Sequence, residues 1–134
     1  MTSKKLTLLI ASAKKASAKA YCPYSKFKVG AAVLTKSGKI FTACNVENAS
    51  YGLCSCAERN AVFNAVSSGD MDIAAIVIYT PTKTPTTPCG ACRQVINEFN
   101  PKTEIICCCK TGKRLKFTLY ELIPRAFGPK NLKK

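Results

Sequence analysis

Cys54-Ser55-Cys56-Ala57-Glu58-Arg59-Asn60-Ala61 is the stretch from which the rest of the chain is read. A thiol and a carboxylate stand two residues apart, an arginine follows, and an apolar helical run begins. A second segment, Pro88-Cys89-Gly90-Ala91-Cys92-Arg93-Gln94, brings two more thiols. Cys89 and Cys92 are spaced i, i+3, so on the first turn of a helix both sulfurs can face one point. Alone, that pair is equally compatible with a redox dithiol. A third thiol at the start of another helix shifts the balance towards a metal.

Zinc prefers four tetrahedral donors, and three protein thiolates leave its fourth position for water, the arrangement of a catalytic site. Helix N-termini favour the thiolate, because their unpaired N–H groups and dipole attract negative charge. Three thiolates on one divalent cation leave an excess negative charge, and Arg59 is the candidate donor that offsets it. Glu58 lies beside the sulfurs without being a ligand. Its expected task is to take a proton from activated water and hold it near the substrate. On a plain helix Glu58 would read as a solvent-facing residue complementing the dipole. The three thiols overturn that reading.

The chain has 134 residues and no histidine, so any general acid or base must be Glu, Asp, Lys, Tyr or Cys. Its nine cysteines are an odd number, and Cys107-Cys108-Cys109 are consecutive and poorly placed to pair with one another. A disulfide scaffold is disfavoured, and a reduced cytoplasmic protein with metal-binding thiols is expected. Cys22, Cys44 and Cys54 read as inert core cysteines. Lys and Arg outnumber Asp and Glu by 21 to 7, giving a net charge of +14. The lysines spread over both ends without interleaved aromatics, which reads as surface solvation and disfavours a nucleic-acid partner. No apolar run is long enough to span a membrane. Residues 6–10 faintly mimic a signal peptide, but an amphipathic helix explains them better, with Leu6, Leu9, Ile10, Ala13, Ser17 and Ala20 on one face.

Taken in order, strands are predicted at 27–35, 40–46, 73–79, 104–110 and 115–117. Residues 36–39 form a hairpin turn, 45–52 a polar loop, and 80–88 a Pro/Thr-rich loop. Helices are predicted at the N-terminus, at 56–68, from Cys89 to before Pro101, and after Thr118 as N-cap. Ala57, Ala61, Val62, Ala65 and Val66 form the buried stripe of the second helix. Residues 73–79 read as a central strand covered on both faces. The Lys-rich tail, residues 128–134, is expected to fray. This order implies an α/β fold of three layers, α/β/α, with a mixed five-stranded sheet, in one domain over residues 1–134.

Cys-Ala-Glu followed by Pro-Cys-x-x-Cys is the signature of zinc-dependent nucleoside deaminases. Phe27-Lys28-Val29-Gly30-Ala31-Ala32, the segment Asn45-Val46-Glu47-Asn48-Ala49-Ser50-Tyr51-Gly52 and the closing Glu121-Leu122-Ile123-Pro124-Arg125-Ala126-Phe127 extend the match. In order and spacing the chain resembles the small homotetrameric cytidine deaminases. That resemblance implies one Zn2+ per chain, bound by Cys56, Cys89 and Cys92, with Glu58 as the proton shuttle. It implies hydrolytic deamination of cytidine and 2'-deoxycytidine in pyrimidine salvage. It further implies that Asn45 and Glu47 hold the ribose 3'-hydroxyl, Ala57 contacts the base through its backbone, and Phe27 packs on the pyrimidine. Phe127 resembles a phenylalanine that reaches a neighbour's site, so active sites would be shared in the tetramer, with Tyr51 near that interface. Arg125 departs from the family, which often has a small residue there. Two alternatives share the zinc motif: a blasticidin S-type deaminase and a polynucleotide cytosine deaminase. Asn45 and Glu47 argue against the first, and Cys56 in place of a first-ligand histidine against the second. A non-catalytic zinc-stapled domain is a third possibility.

Overall fold

A computed structural model describes residues 1–133. Five strands form one mixed sheet in the order β2-β1-β3-β4-β5. They are β1 (Gly30–Thr35), β2 (Ile40–Cys44), β3 (Ile73–Thr80), β4 (Glu104–Cys109) and β5 (Arg114–Thr118). The β1–β2, β1–β3 and β4–β5 pairs are antiparallel, whereas β3 and β4 run parallel. A parallel pair needs a crossover, and here it is the helix carrying Cys92.

Successive side chains of a strand point to opposite faces, and both faces of this sheet are covered. On one side lies α1 (Ser3–Ser17), whose Leu9 and Ala13 pack with Ala32, Leu34, Ala75, Val77 and Ile106. On the other lie α2 (Ala57–Ser67), α3 (Gly90–Phe99) and α4 (Leu119–Leu122). Their Ala61, Val62, Ile96 and Leu119 meet Ala31, Val33, Ile76, Ile78 and Ile105. Burying each large aliphatic side chain contributes about 1.5–3 kcal/mol, so the three-layer arrangement is held from both sides.

The expected architecture holds, with differences at the element ends. The first strand begins at Gly30 rather than 27, because residues 27–29 are tied to the side chain of Asn45 instead of a ladder. Asn45 Oδ1 accepts from Val29 N–H at 2.9 Å, and its Nδ2 donates to Phe27 O at 2.8 Å. All six residues of β1 are buried, not alternate ones, since α1 covers the face that alternation would leave to water. The return strand ends at Cys44, and Val46 makes an isolated bridge with Ser55. A 3-10 turn, Tyr51–Leu53, stands within the predicted loop. Val66 is only half-buried, while Glu58 joins the buried face of α2. Thr118 caps α4 as expected, its N–H and hydroxyl both bonding the Glu121 carboxylate at 2.9 and 3.1 Å. Pro129–Asn131 form a 3-10 turn in the tail expected to fray, and Lys134 lies outside the described residues. No helix of the described residues is long and apolar enough to cross a membrane.

Candidate metal and active site

Cys56 is the N-cap of α2 and Cys89 the N-cap of α3, both with extended backbone, and Cys92 sits on the first turn of α3. Both helices run antiparallel to β3, so their N-termini meet at the carboxyl end of that strand. Ligands bind at such carboxyl ends in open α/β sheets. Neither cysteine caps its helix with a side-chain hydrogen bond, which leaves the sulfurs available. Their separations are 3.8 Å for Cys56–Cys89 and 3.5 Å for Cys89–Cys92, and all three lie within 4.8 Å of one another.

Those spacings fit zinc. At a Zn–S distance of about 2.3 Å, tetrahedral sulfurs stand roughly 3.8 Å apart. The charge arrangement fits as well. Arg59 Nη2 donates to Cys56 Sγ at 3.5 Å. Its Nε is a buried side-chain nitrogen with no hydrogen-bond partner among the described residues. A guanidinium left short of acceptors beside thiols suits a cluster that becomes anionic once a cation draws off the thiol protons.

The thiols already share their protons unevenly. A hydrogen bond from Cys92 brings the Cys56 thiol down to about 5, burial opposes this, and Arg59 assists. Cys92, as the donor, is pushed well above the ordinary thiol range. Negative charge therefore settles first on Cys56, at the α2 N-terminus.

Glu58 is only 5% exposed. Burial raises its carboxyl to about 7, and the Cys56 charge adds to the rise. A carboxyl poised there can both accept and return a proton near neutral pH. Ala57 occupies the first position of α2 and is fully buried. Its N–H belongs to the helix-start donors that have no intrahelical acceptor.

Asn45 and Glu47 stand next to the metal ligands through chain pairing. Val46 N–H donates to Ser55 O at 3.0 Å, and Ser55 N–H to Val46 O at 2.9 Å. Asn60 binds Cys44 O at 2.9 Å and accepts from Ser55 Oγ at 2.7 Å, fastening the same junction. Phe27 joins this group through Asn45 and is 39% exposed. Phe127 lies apart, 60% exposed, with its carbonyl held by Gln94 and Asn97 of α3 at 2.7 and 3.3 Å. Tyr51 is exposed and its ring lies 5.7 Å from that of Tyr24. Cys54 does not join the metal group; its Sγ sits 3.3 Å from Asn48 N, accepting its hydrogen bond. Among the other spare thiols Cys22 is buried, whereas Cys44 and Cys54 are half-buried.

One residue without an assigned role in the sequence reading braces the site. Arg93 donates to Pro88 O at 2.7 Å, Leu122 O at 2.8 Å and Thr87 Oγ1 at 3.3 Å. It fixes the loop that delivers Cys89. A signal was present: a helix dipole disfavours cations in the first turn, so an arginine there needs another reason.

Residues 3–109 match the family described as the cytidine and deoxycytidylate deaminase zinc-binding region. A cytidine deaminase of Halalkalibacterium halodurans is 46% identical over 126 residues, 93% of this chain and 96% of that one. The crystal structure of cytidine deaminase from Burkholderia pseudomallei superposes with a TM-score of 0.88 at 48% identity, covering 95% of this chain and 100% of that one. The Mycobacterium tuberculosis cytidine deaminase structure gives 0.81 at 38% identity, covering 92% and 98%. A three-sulfur cluster beside a buried glutamate, set in this sheet, thus accompanies likeness over nearly the full length, and the chain belongs to the zinc-binding cytidine deaminase family.

Proposed function

We propose that this protein hydrolyses the exocyclic amino group of cytidine and 2'-deoxycytidine, giving uridine and 2'-deoxyuridine plus ammonia, as a step of pyrimidine salvage. The observation that carries the reading is the position of buried Glu58 two residues from Cys56, itself in the three-thiol cluster. Cys56, Cys89 and Cys92 would hold one zinc ion per chain, which would supply the Lewis acidity for activating water. Glu58 takes the proton that water loses on attacking the ring carbon bearing the amino group. It delivers that proton to the ring nitrogen, then takes the proton of the newly formed hydroxyl and passes it to the amino group, which leaves as ammonia while the carbonyl forms. Its buried carboxyl, poised near 7, suits repeated transfer in both directions. Asn45 and Glu47 hold the ribose 3'-hydroxyl, the Ala57 backbone meets the base, and Phe27 packs against the pyrimidine.

The names of the relatives favour this substrate over the blasticidin S-type and polynucleotide alternatives. Exposed Tyr51, Leu53, Phe63 and Phe127 support a homotetramer in which Phe127 approaches a neighbour's site. Nine free thiols suit a reducing cytoplasm. The test is an ultraviolet assay of cytidine loss with zinc quantified per chain. Wild-type protein consumes cytidine, while Glu58→Gln keeps zinc and fold but loses about 10²–10⁴-fold in turnover. Equal turnover by the variant rejects the shuttle, and no turnover by zinc-loaded wild type rejects the activity.

A further inference from the structure

Residues 24–29 hang from two side chains. Glu47 Oε1 accepts the N–H groups of Tyr24 and Ser25 at 3.0 and 3.1 Å, and Glu47 Oε2 accepts the Ser25 hydroxyl. Ser25 Oγ in turn accepts Phe27 N–H at 3.0 Å. Asn45 holds Phe27 O and Val29 N–H. Between Ser25 and Phe27, Lys26 adopts φ +59, in the left-handed region, with its N–H on Cys22 O at 3.0 Å. A non-glycine residue in that region costs free energy and persists only where its surroundings impose it. The segment is therefore held in place by its partners.

We propose that Ser25 is a positioning residue that ties Glu47 to Phe27, so that carboxylate and ring meet the nucleoside as one preformed unit. This deepens, and rests on, the cytidine deaminase reading of the site. Ser25 is the side chain that bonds both residues at once. A carboxylate offers roughly four acceptor positions, and residues 24 and 25 occupy three of them. One remains, which suits a single sugar hydroxyl. The same serine fixes the backbone N–H of Phe27, and with it the origin of the side chain. Losing the hydroxyl frees Glu47 to turn and Phe27 to drift, which weakens substrate capture more than the chemical step. Preorganised groups of this kind act by removing an ordering cost from binding.

The test uses the full-length, zinc-loaded protein as wild type, Ser25→Ala, Ser25→Thr, Glu47→Gln and the Ser25→Ala/Glu47→Gln pair. Steady-state deamination of cytidine is followed for each. Ser25→Ala raises KM by about tenfold, the scale of one hydrogen bond to a charged group, while kcat moves by less than about threefold. Ser25→Thr restores most of the loss, since it keeps the hydroxyl. The KM effect of Ser25→Ala shrinks in the Glu47→Gln background, the non-additivity of groups acting together. An unaltered KM, additive losses or no rescue by threonine overturns the proposal. Tryptic cleavage after Lys26 reads the same tie without any turnover: Ser25→Ala is nicked several-fold faster at an unchanged melting temperature. Equal nicking overturns the proposal even if cytidine is not the substrate. Failure of wild type to deaminate cytidine counts against the underlying reading alone.

Discussion

Arg59 reaches back one helical turn to place Nη2 3.5 Å from Cys56 Sγ, the sulfur on which negative charge settles first. The guanidinium is raised above its ordinary value chiefly by that hydrogen bond, so the pair stabilises charge on both partners. Replacing Arg59 by Gln removes the cation while keeping a donor. Zinc affinity or turnover falls about 10–100-fold, the scale for groups that orient and neutralise metal ligands. Zinc retained per chain after dialysis against a chelator, measured beside turnover, checks this.

Glu58 also links stability to pH. Its carboxyl is raised from 4.5 to about 7 by burial, so in the metal-free chain the folded state binds the proton more tightly than the unfolded state. Stability from this group is complete below pH 4.5 and declines as pH rises. The decline ends once the folded carboxyl ionises, above about 7. The loss is on the order of 3 kcal/mol. Urea unfolding of metal-free wild type and Glu58→Gln at pH 5 and pH 8 reads the difference. Relative to wild type, the glutamine variant gains stability at the higher pH, whereas a pH-independent difference contradicts the buried-carboxyl account.

Gly30 is where α1 lies down on the sheet. A Cβ there would stand 1.9 Å from Ala13 O and 2.6 Å from Ser17 N, both helix backbone atoms that cannot turn aside. Gly30→Ala must push α1 away from β1, which costs about 3 kcal/mol. Denaturant melts of the two proteins measure it. Because the metal helices lie on the other face, zinc content stays at the wild-type level wherever the variant is folded.

Arg125 carries φ +55 in the segment after α4. The left-handed conformation costs an ordinary residue about 1–2 kcal/mol, and glycine adopts it freely at some cost in unfolded-chain entropy. Arg125→Gly therefore stabilises by about 0.5–1 kcal/mol, visible as a higher urea midpoint with an unchanged slope.

The metal site was the most legible part of the chain, because three thiols and a carboxylate at these spacings restrict the chemistry strongly. Cys56, two residues before Glu58, joins the three-sulfur group, whereas Cys54 lies apart from it with its Sγ 3.3 Å from Asn48 N. Strand boundaries were less legible. Residues 27–29 have the composition of a strand, yet Asn45, sixteen and more residues away, takes up their backbone groups. The role of Ser25 was invisible, since its partner Glu47 lies 22 residues further along.

Local patterning of apolar residues and the spacing of Cys56, Glu58, Cys89 and Cys92 were enough to give the order of elements and to single out the three sulfurs that the fold gathers. Those properties depend on near neighbours in the chain. Three others came into being only when distant segments met: the 3.8 Å contact of Cys56 with Cys89, the burial that poises Glu58, and the Ser25–Glu47–Phe27 tie. Desolvation and hydrogen bonding depend on what lies across space, and the linear order of residues does not carry that information.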